Sequence, residues 1–331
     1  MKRAMRIVAA ALVLGVGALG AAAYLALQPV SQSDGQIVVE IPRGTSLRGV
    51  AAQLEGAGVI KSARAFALLA RLQRRDDALR AGEYALAPNL TPMEVLERLA
   101  TGAVMTHRLV LPEGLRMEEV AARIEAAGLG SAADFVAVAQ DPANPAAFGV
   151  EGETLEGYLF PETYELARGV PARDIARMMV DHFLSVWRTI EPSARARGHS
   201  MREVVVLASL IEKETGAPAE RPLIAAVFLN RLDRGMRLET DPAVIYGIAG
   251  FDGNLRRVHL EDASNPYNTY LHAGLPPGPI ANPGAAALRA VVEPAAADYL
   301  YFVARKDGTH QFSRSYGEHV RAVNRFQRNG R

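Results

Sequence analysis

The chain has 331 residues, a formal net charge of +1 and no cysteine. That length supports two or three domains with sizeable cores, and a near-neutral charge with dispersed Lys and Arg leaves no electrostatic footprint for nucleic acid. The lack of cysteine excludes a disulfide framework, thiolate nucleophiles and cysteine-ligated metals, and leaves the redox compartment open.

Lys2, Arg3 and Arg6 precede an uncharged, mostly apolar run from Ile7 to Leu27. As a helix this run would reach about 31 Å, enough for a hydrocarbon core of roughly 30 Å. The flanking positive charge places the short N-terminal side in the cytoplasm and everything after Gln28 outside. A cleaved secretory signal ending near Ala21-Ala22-Ala23 is the alternative, but the run continues through that point, which favours an uncleaved anchor.

Pro29 to Gln36 is a polar linker. The β-branched Ile37, Val38 and Val39 predict a strand over 36–41, leading through Pro42-Arg43-Gly44 into a helix over 47–55. The pattern returns at an offset of 70 residues, where Pro112-Glu113-Gly114 precedes Val120-Ala121-Ala122-Arg123-Ile124, matching Val50-Ala51-Ala52-Gln53-Leu54. Phe66 and Phe135 correspond after one deletion. Two copies of a strand, Pro-x-Gly turn and helix unit are therefore expected. Between them, Gly82-Glu83-Tyr84 predicts another strand, and Thr91 with Pro92 predicts a helix start.

A helix is expected over 134–140, followed by a Pro/Ala-rich loop. The stretch from Gly157 to Tyr164 is dense in aromatics, and a long helix follows over 171–190. In Met201–Gly216, Leu207, Leu210 and Ile211 recur at i, i+3 and i+4, and the next position of that stripe is Glu214. Gly216 and Pro218 should stop the helix just beyond it. Apolar surroundings and the negative end of the helix dipole both disfavour the ionised form, so Glu214 should donate a proton near neutral pH. Glu212 lies about 200° away around the helix and should not share its cleft.

A third helix is expected over 221–233, then turns and short elements with a rigid Pro-rich loop at 274–279, a strand pair at 299–303 and 310–312, and a closing helix over 316–327. No HExxH, GxSxG or phosphate-cradling motif is present, and the seven histidines are scattered, so no metal or other cofactor is expected. Tyr246, Tyr267, Asn268, Thr269 and Tyr270 could line a groove that stacks and hydrogen-bonds sugars. Asp241 is the best candidate for a second carboxylate.

The segments LASLIEKET at 207–215, VFLNRL at 227–232, LETDPAVIYG at 238–247, NPYNTY at 265–270, GLPPGPIANPG at 274–284 and YLYFVA at 299–304, in that order after EGYLFPETY at 156–164, resemble the endolytic peptidoglycan transglycosylases of the MltG/YceG-like type. The resemblance implies an α+β chain with a single N-terminal transmembrane helix, a small LysM-like α+β module and a mixed helical and short-strand catalytic domain. The corresponding division is a cytoplasmic tip and anchor at 1–28, a linker at 29–35, the LysM-like module at 36–104, a second strand-helix unit at 105–150 and the catalytic domain at 151–331. It further implies a single-pass inner-membrane enzyme, with its catalytic domain on the periplasmic face, that cuts nascent glycan strands between N-acetylmuramic acid and N-acetylglucosamine and leaves 1,6-anhydro ends. Penicillin-binding proteins and other wall-elongation proteins are its implied partners. The family's catalytic glutamate falls on Glu214, and its other site positions fall around Asn230, Thr240, Asp241, Tyr267 and Asn268. Two alternatives stay open, a hydrolytic muramidase using Glu214 and Asp241, and a non-catalytic glycan-binding scaffold of wall synthesis.

Overall fold

The computed structural model describes residues 14–18 and 20–328. The whole charged tip, together with residues 7–13 and 19 of the apolar run, lies outside them. Among the described residues no helix is long and apolar enough to cross a membrane. The expected membrane-spanning anchor, and the single-pass inner-membrane placement built on it, are therefore corrected. The helical residues described within the run are 14–18 and 20–26.

The described residues divide into two compact units, those up to 107 with 165–169, and 108–164 with those from 170 onward. In the first, β1 (Ile37–Ile41) and β2 (Gly82–Leu86) pair antiparallel with Val39 opposite Tyr84. Three helices pack with them: α1 (Leu47–Gly56), α2 (Ala63–Leu72) and α3 (Pro92–Thr101). Each starts where a hydroxyl can satisfy an orphan backbone N–H. Ser46 and Ser62 accept from Gly49 N and Ala65 N, and Thr91 forms a reciprocal box with Glu94. Leu54, Phe66, Tyr84, Leu96 and Leu99 are fully buried together, each large apolar side chain contributing about 1.5–3 kcal/mol.

The second unit repeats the plan. After β3 (His107–Val110) come α4 (Met117–Ala126) and α5 (Ala132–Gln140), whose Val120, Ala121, Ile124, Phe135 and Ala139 are buried as Val50, Ala51, Leu54, Phe66 and Ala70 are in the first copy. Gly44 and Gly114 share φ +79°, the left-handed turn that the Pro-x-Gly pattern requires. The Pro/Ala-rich stretch expected as a loop instead forms a short helix, α6 (Asn144–Phe148), with Pro145 in its first turn, where its missing N–H does no harm. β4 (Thr163–Leu166) pairs with β3.

The helical body follows. α7 (Ala172–Ala196) buries Ile175, Met179, Phe183, Trp187 and Ile190 along one stripe and continues six residues beyond the expected end, through Pro192. α8 (Met201–Glu214) begins in a capping box, with Ser200 and Glu203 bonding each other's backbone. Its residues from Val204 to Ile211 are all buried, so the expected one-sided stripe is corrected to a helix wrapped on every face. A short 3₁₀ turn (Pro218–Glu220) leads into α9 (Arg221–Asp233). Then come α10 (Asp241–Tyr246), α11 (Arg257–Leu260) and α12 (Ala285–Val292). The last of these is a buried helix where only turns and short elements were expected. It packs on α8 and α9. β5 (Tyr301–Ala304) and β6 (His310–Ser313) form an antiparallel pair, followed by α13 (Tyr316–Val323) and a single π turn (Asn324–Arg328).

Candidate active site

α8 ends at Glu214 because Thr215 turns extended (φ −142°, ψ 136°) and Pro218 cannot continue the ladder. Glu214 is thereby left on the rim of two concavities. One, of about 370 Å³, is lined by Glu214 with Arg231, Glu239, Asp241, Tyr270 and His310. The other, of about 650 Å³, is bordered by Glu113, Gly114, Glu212, Lys213, Glu214 and Arg221, so Glu212 shares this hollow with Glu214, contrary to the expectation from its place on the helix. A carboxyl shared between two open hollows can meet a chain laid across both.

Burial pushes the Glu214 carboxyl up to about 7; the neighbouring Asp241 charge adds to the rise, while Thr240, His310 and Arg231 oppose it. The Thr240 hydroxyl itself is buried and lacks a hydrogen-bond partner of normal length, so it remains available to the Glu214 carboxyl beside it. Asp241, the first residue of α10, accepts a hydrogen bond from the Tyr270 hydroxyl at 2.7 Å. Burial and that carboxylate push the Tyr270 phenol well above its ordinary range.

Glu212 has a different task. Its side chain is only 5 % exposed, pairs with Arg221 at 2.7 Å and accepts from Gly284 N at 3.0 Å. Arg221 reaches in turn to Glu113 at 3.1 Å. With its oxygens occupied, Glu212 is a structural carboxylate that fixes the end of α8.

Of the residues singled out from sequence, Thr240 and Asp241 are brought to Glu214. Asn230 is not: its amide donates to Ala297 O and Tyr299 O, each at 2.9 Å, and so ties α9 to the segment entering β5. Asn268 is wholly buried and holds the carbonyls of Leu260 and Asp262 at 3.1 and 2.9 Å. Both amides are satisfied by backbone, which leaves little for a sugar. Tyr246 and Tyr267 lie against each other with ring centroids 4.8 Å apart, and the Tyr246 hydroxyl donates to Glu156 at 3.3 Å. Neither lines the cavities of Glu214.

Glu156 was not foreseen as a special residue. It is 1 % exposed, and its oxygens accept from Met117 N, Tyr246 and the Asn282 amide. Burial raises its pKa to about 8. The next residue, Gly157 (φ +87°), has room for no side chain, since a Cβ there would stand 2.6 Å from both Val205 and Pro279. His310 and Glu220 were missed as well. Nothing periodic marks them, because one lies in a three-residue turn and the other opens a four-residue strand.

A half-buried carboxyl whose pKa is raised to about 7, next to a second carboxylate and lining two hollows, is an arrangement suited to general acid–base chemistry. The family model described as the YceG-like family matches residues 39–325, and the chain belongs to that family. It is 31 % identical over 317 residues to an endolytic murein transglycosylase of Bacillus subtilis, covering 91 % of this chain and 88 % of the relative. It is 28 % identical to an endolytic murein transglycosylase of Streptococcus pneumoniae, covering 88 % of this chain but 59 % of that longer protein. A crystal structure of a YceG-like protein from Listeria monocytogenes superposes with a TM-score of 0.60 at 32 % identity, covering 88 % of this chain and 99 % of that one.

Proposed function

We propose that this chain is an endolytic lytic transglycosylase that cleaves the bond between N-acetylmuramic acid and N-acetylglucosamine, with Glu214 as its acid and then its base. Protonated Glu214 donates to the glycosidic oxygen as the C1–O bond breaks, and the sugar passes through an oxocarbenium-like state. The Glu214 carboxylate then takes the proton of the muramic C6 hydroxyl while O6 bonds to C1. Glu214 is thereby reprotonated, and a 1,6-anhydro end forms. Because the nucleophile belongs to the same sugar, its high effective concentration replaces an activated water and one carboxyl serves both steps.

The observation that carries this reading is the position of Glu214 on the rim of two hollows with its pKa raised to about 7. Mass spectrometry of peptidoglycan digested by the purified chain tests it. Anhydro-muramic ends are expected, and Glu214→Gln should reduce their formation by about 10²–10⁴-fold. A Glu214→Gln chain of unchanged activity would remove the assignment, and a wild-type chain that makes no cuts would leave only a glycan-binding scaffold.

Asp241 in the same hollow supports a second reading, a hydrolytic muramidase with two carboxyls. It requires reducing ends in place of anhydro ends, and Asp241→Asn should then abolish them.

A further inference from the structure

The break that ends α8 also delivers Glu220, six residues beyond Glu214. Glu220 is nearly buried, and both its oxygens are used by one residue of the distant strand pair. His310 N donates to Oε1 at 2.8 Å, and the His310 ring places Nδ1 2.7 Å from Oε2, with the Thr215 hydroxyl at 3.3 Å from the same oxygen. A carboxylate only accepts, so Nδ1 carries the hydrogen and the tautomer is fixed. That leaves Nε2 for the hollow that His310 lines together with Glu214. Phe302 packs against the same ring at 5.3 Å between centroids, so the imidazole is held by chain, carboxylate and ring face at once. A backbone and side-chain clamp on one histidine is more than packing requires. It is the arrangement by which a ring is aimed.

From these contacts we infer that His310, clamped by Glu220, is a positioning residue that sets the proton affinity of Glu214. The inference rests on Glu214 as the proton donor. Several groups face that donor. Asp241 on α10 and Glu239 just before it are anionic, and Arg231 on α9 is the fixed cation. The Tyr270 phenol is tied to Asp241, and His319 on α13 borders the hollow. Arg231 is engaged with the Leu300, Arg237 and Leu238 carbonyls and with Glu239, so much of its charge is directed elsewhere. His310, aimed at the same hollow, therefore adds positive potential that favours the carboxylate of Glu214 against burial and Asp241. In the first step this lowers the free energy of the carboxylate left after proton donation. Glu220, for its part, is held below its ordinary range, because the hydrogen bonds from the His310 ring and backbone outweigh the upward push of burial.

The test is a set of pH profiles of anhydro-end formation on purified glycan strands, for wild type, His310→Gln and Glu220→Gln, with thermal melting to confirm folding. With that potential gone, Glu214 holds its proton to higher pH. The alkaline limb should move up by about half a unit or more. On the plateau kcat should fall roughly tenfold with KM within about twofold, since a weaker acid slows chemistry without weakening binding. Glu220→Gln should move the limb the same way by less. An unmoved limb in both variants overturns the proposal whatever happens to kcat, because a packing role changes rate and melting but not the limb. A second readout needs no activity. The His310 ring signal in a histidine-labelled sample should change at a different pH in Glu214→Gln than in wild type, because coupling between two sites is reciprocal. Identical titrations would overturn the proposal. If Glu214→Gln keeps full activity, it is the identity of the proton donor that fails, a result separate from an inactive Glu214→Gln together with an unmoved limb in His310→Gln and Glu220→Gln.

Discussion

Two copies of one backbone plan stand in this chain, and they have different surroundings. In the first, Pro42-Arg43-Gly44 turns freely, and nothing lies within 4 Å of the position a Gly44 side chain would take. In the second, Pro112-Glu113-Gly114 is gripped. Gly114 N donates to Asn282 O at 2.9 Å, Lys213 Nζ donates to Gly114 O at 3.2 Å, and Glu113 shares Arg221 with Glu212. The same φ of +79° serves as a plain reversal in one copy and as a wall of the Glu214 hollow in the other. Repetition therefore supplied scaffold twice, and a single difference at equivalent positions, Arg43 against Glu113, separates an open turn from one that lines the Glu214 hollow.

The largest expected effect that tests this contrast comes from Arg221→Ala. It leaves the buried Glu212 without its counter-ion and should destabilise the chain by about 3–5 kcal/mol, whereas Arg43→Ala in the free turn should change stability by no more than about 0.5 kcal/mol. Urea denaturation measures both. Equal losses would end the comparison.

Next is pH. Glu214 and Glu156, both in the second unit, hold protons in the folded chain at a pH where the unfolded chain has already released them. The folded form therefore binds more protons from about pH 4.5 upward, and stability falls with rising pH until the two have ionised, near 7 and 8. Between pH 5 and 8 the loss should amount to a few kcal/mol. Glu156→Gln should flatten most of that slope in melts across the same range.

Smaller still are the glycines. Gly44→Ala and Gly114→Ala should each cost about 1–2 kcal/mol through the left-handed backbone alone. Only the second should reduce anhydro-end formation, by severalfold, since Gly114 lines the Glu214 hollow and a strained turn there would shift that wall. Ser46→Ala, which removes the cap of α1 in the free copy, should cost about 1 kcal/mol with activity unchanged.

Much of this was legible in the sequence, for reasons that can be named. The repeat was visible because both copies bury the same positions, whereas the stripe that singled out Glu214 proved to be one side of a helix buried all round, so its periodicity alone did not distinguish that carboxyl. Other features were hidden by chemistry that looks alike in one dimension. An amide that bonds sugar and one that bonds backbone carbonyls are both simply Asn, so Asn230 and Asn268 were read as ligand-facing although the fold consumes them. Tyr246 and Tyr267 face each other and a buried carboxyl, a pairing set by chain reversals with no local signature. The Glu220–His310 clamp joins residues 90 apart, beyond the reach of any periodicity. The apolar N-terminal run suggested a membrane span from composition alone, and among the described residues it does not yield a helix of sufficient length.

Gly157 has a consequence for how sequences of this kind can vary. Crowding by Val205 and Pro279 could be relieved by a smaller residue at 205, but the positive φ would remain, so no compensating partner can make another amino acid comfortable there. Position 157 is thus insulated from covariation. When distant relatives are aligned, it should stay fixed while its contacts drift, and it can serve as a register mark for the buried carboxyl immediately before it.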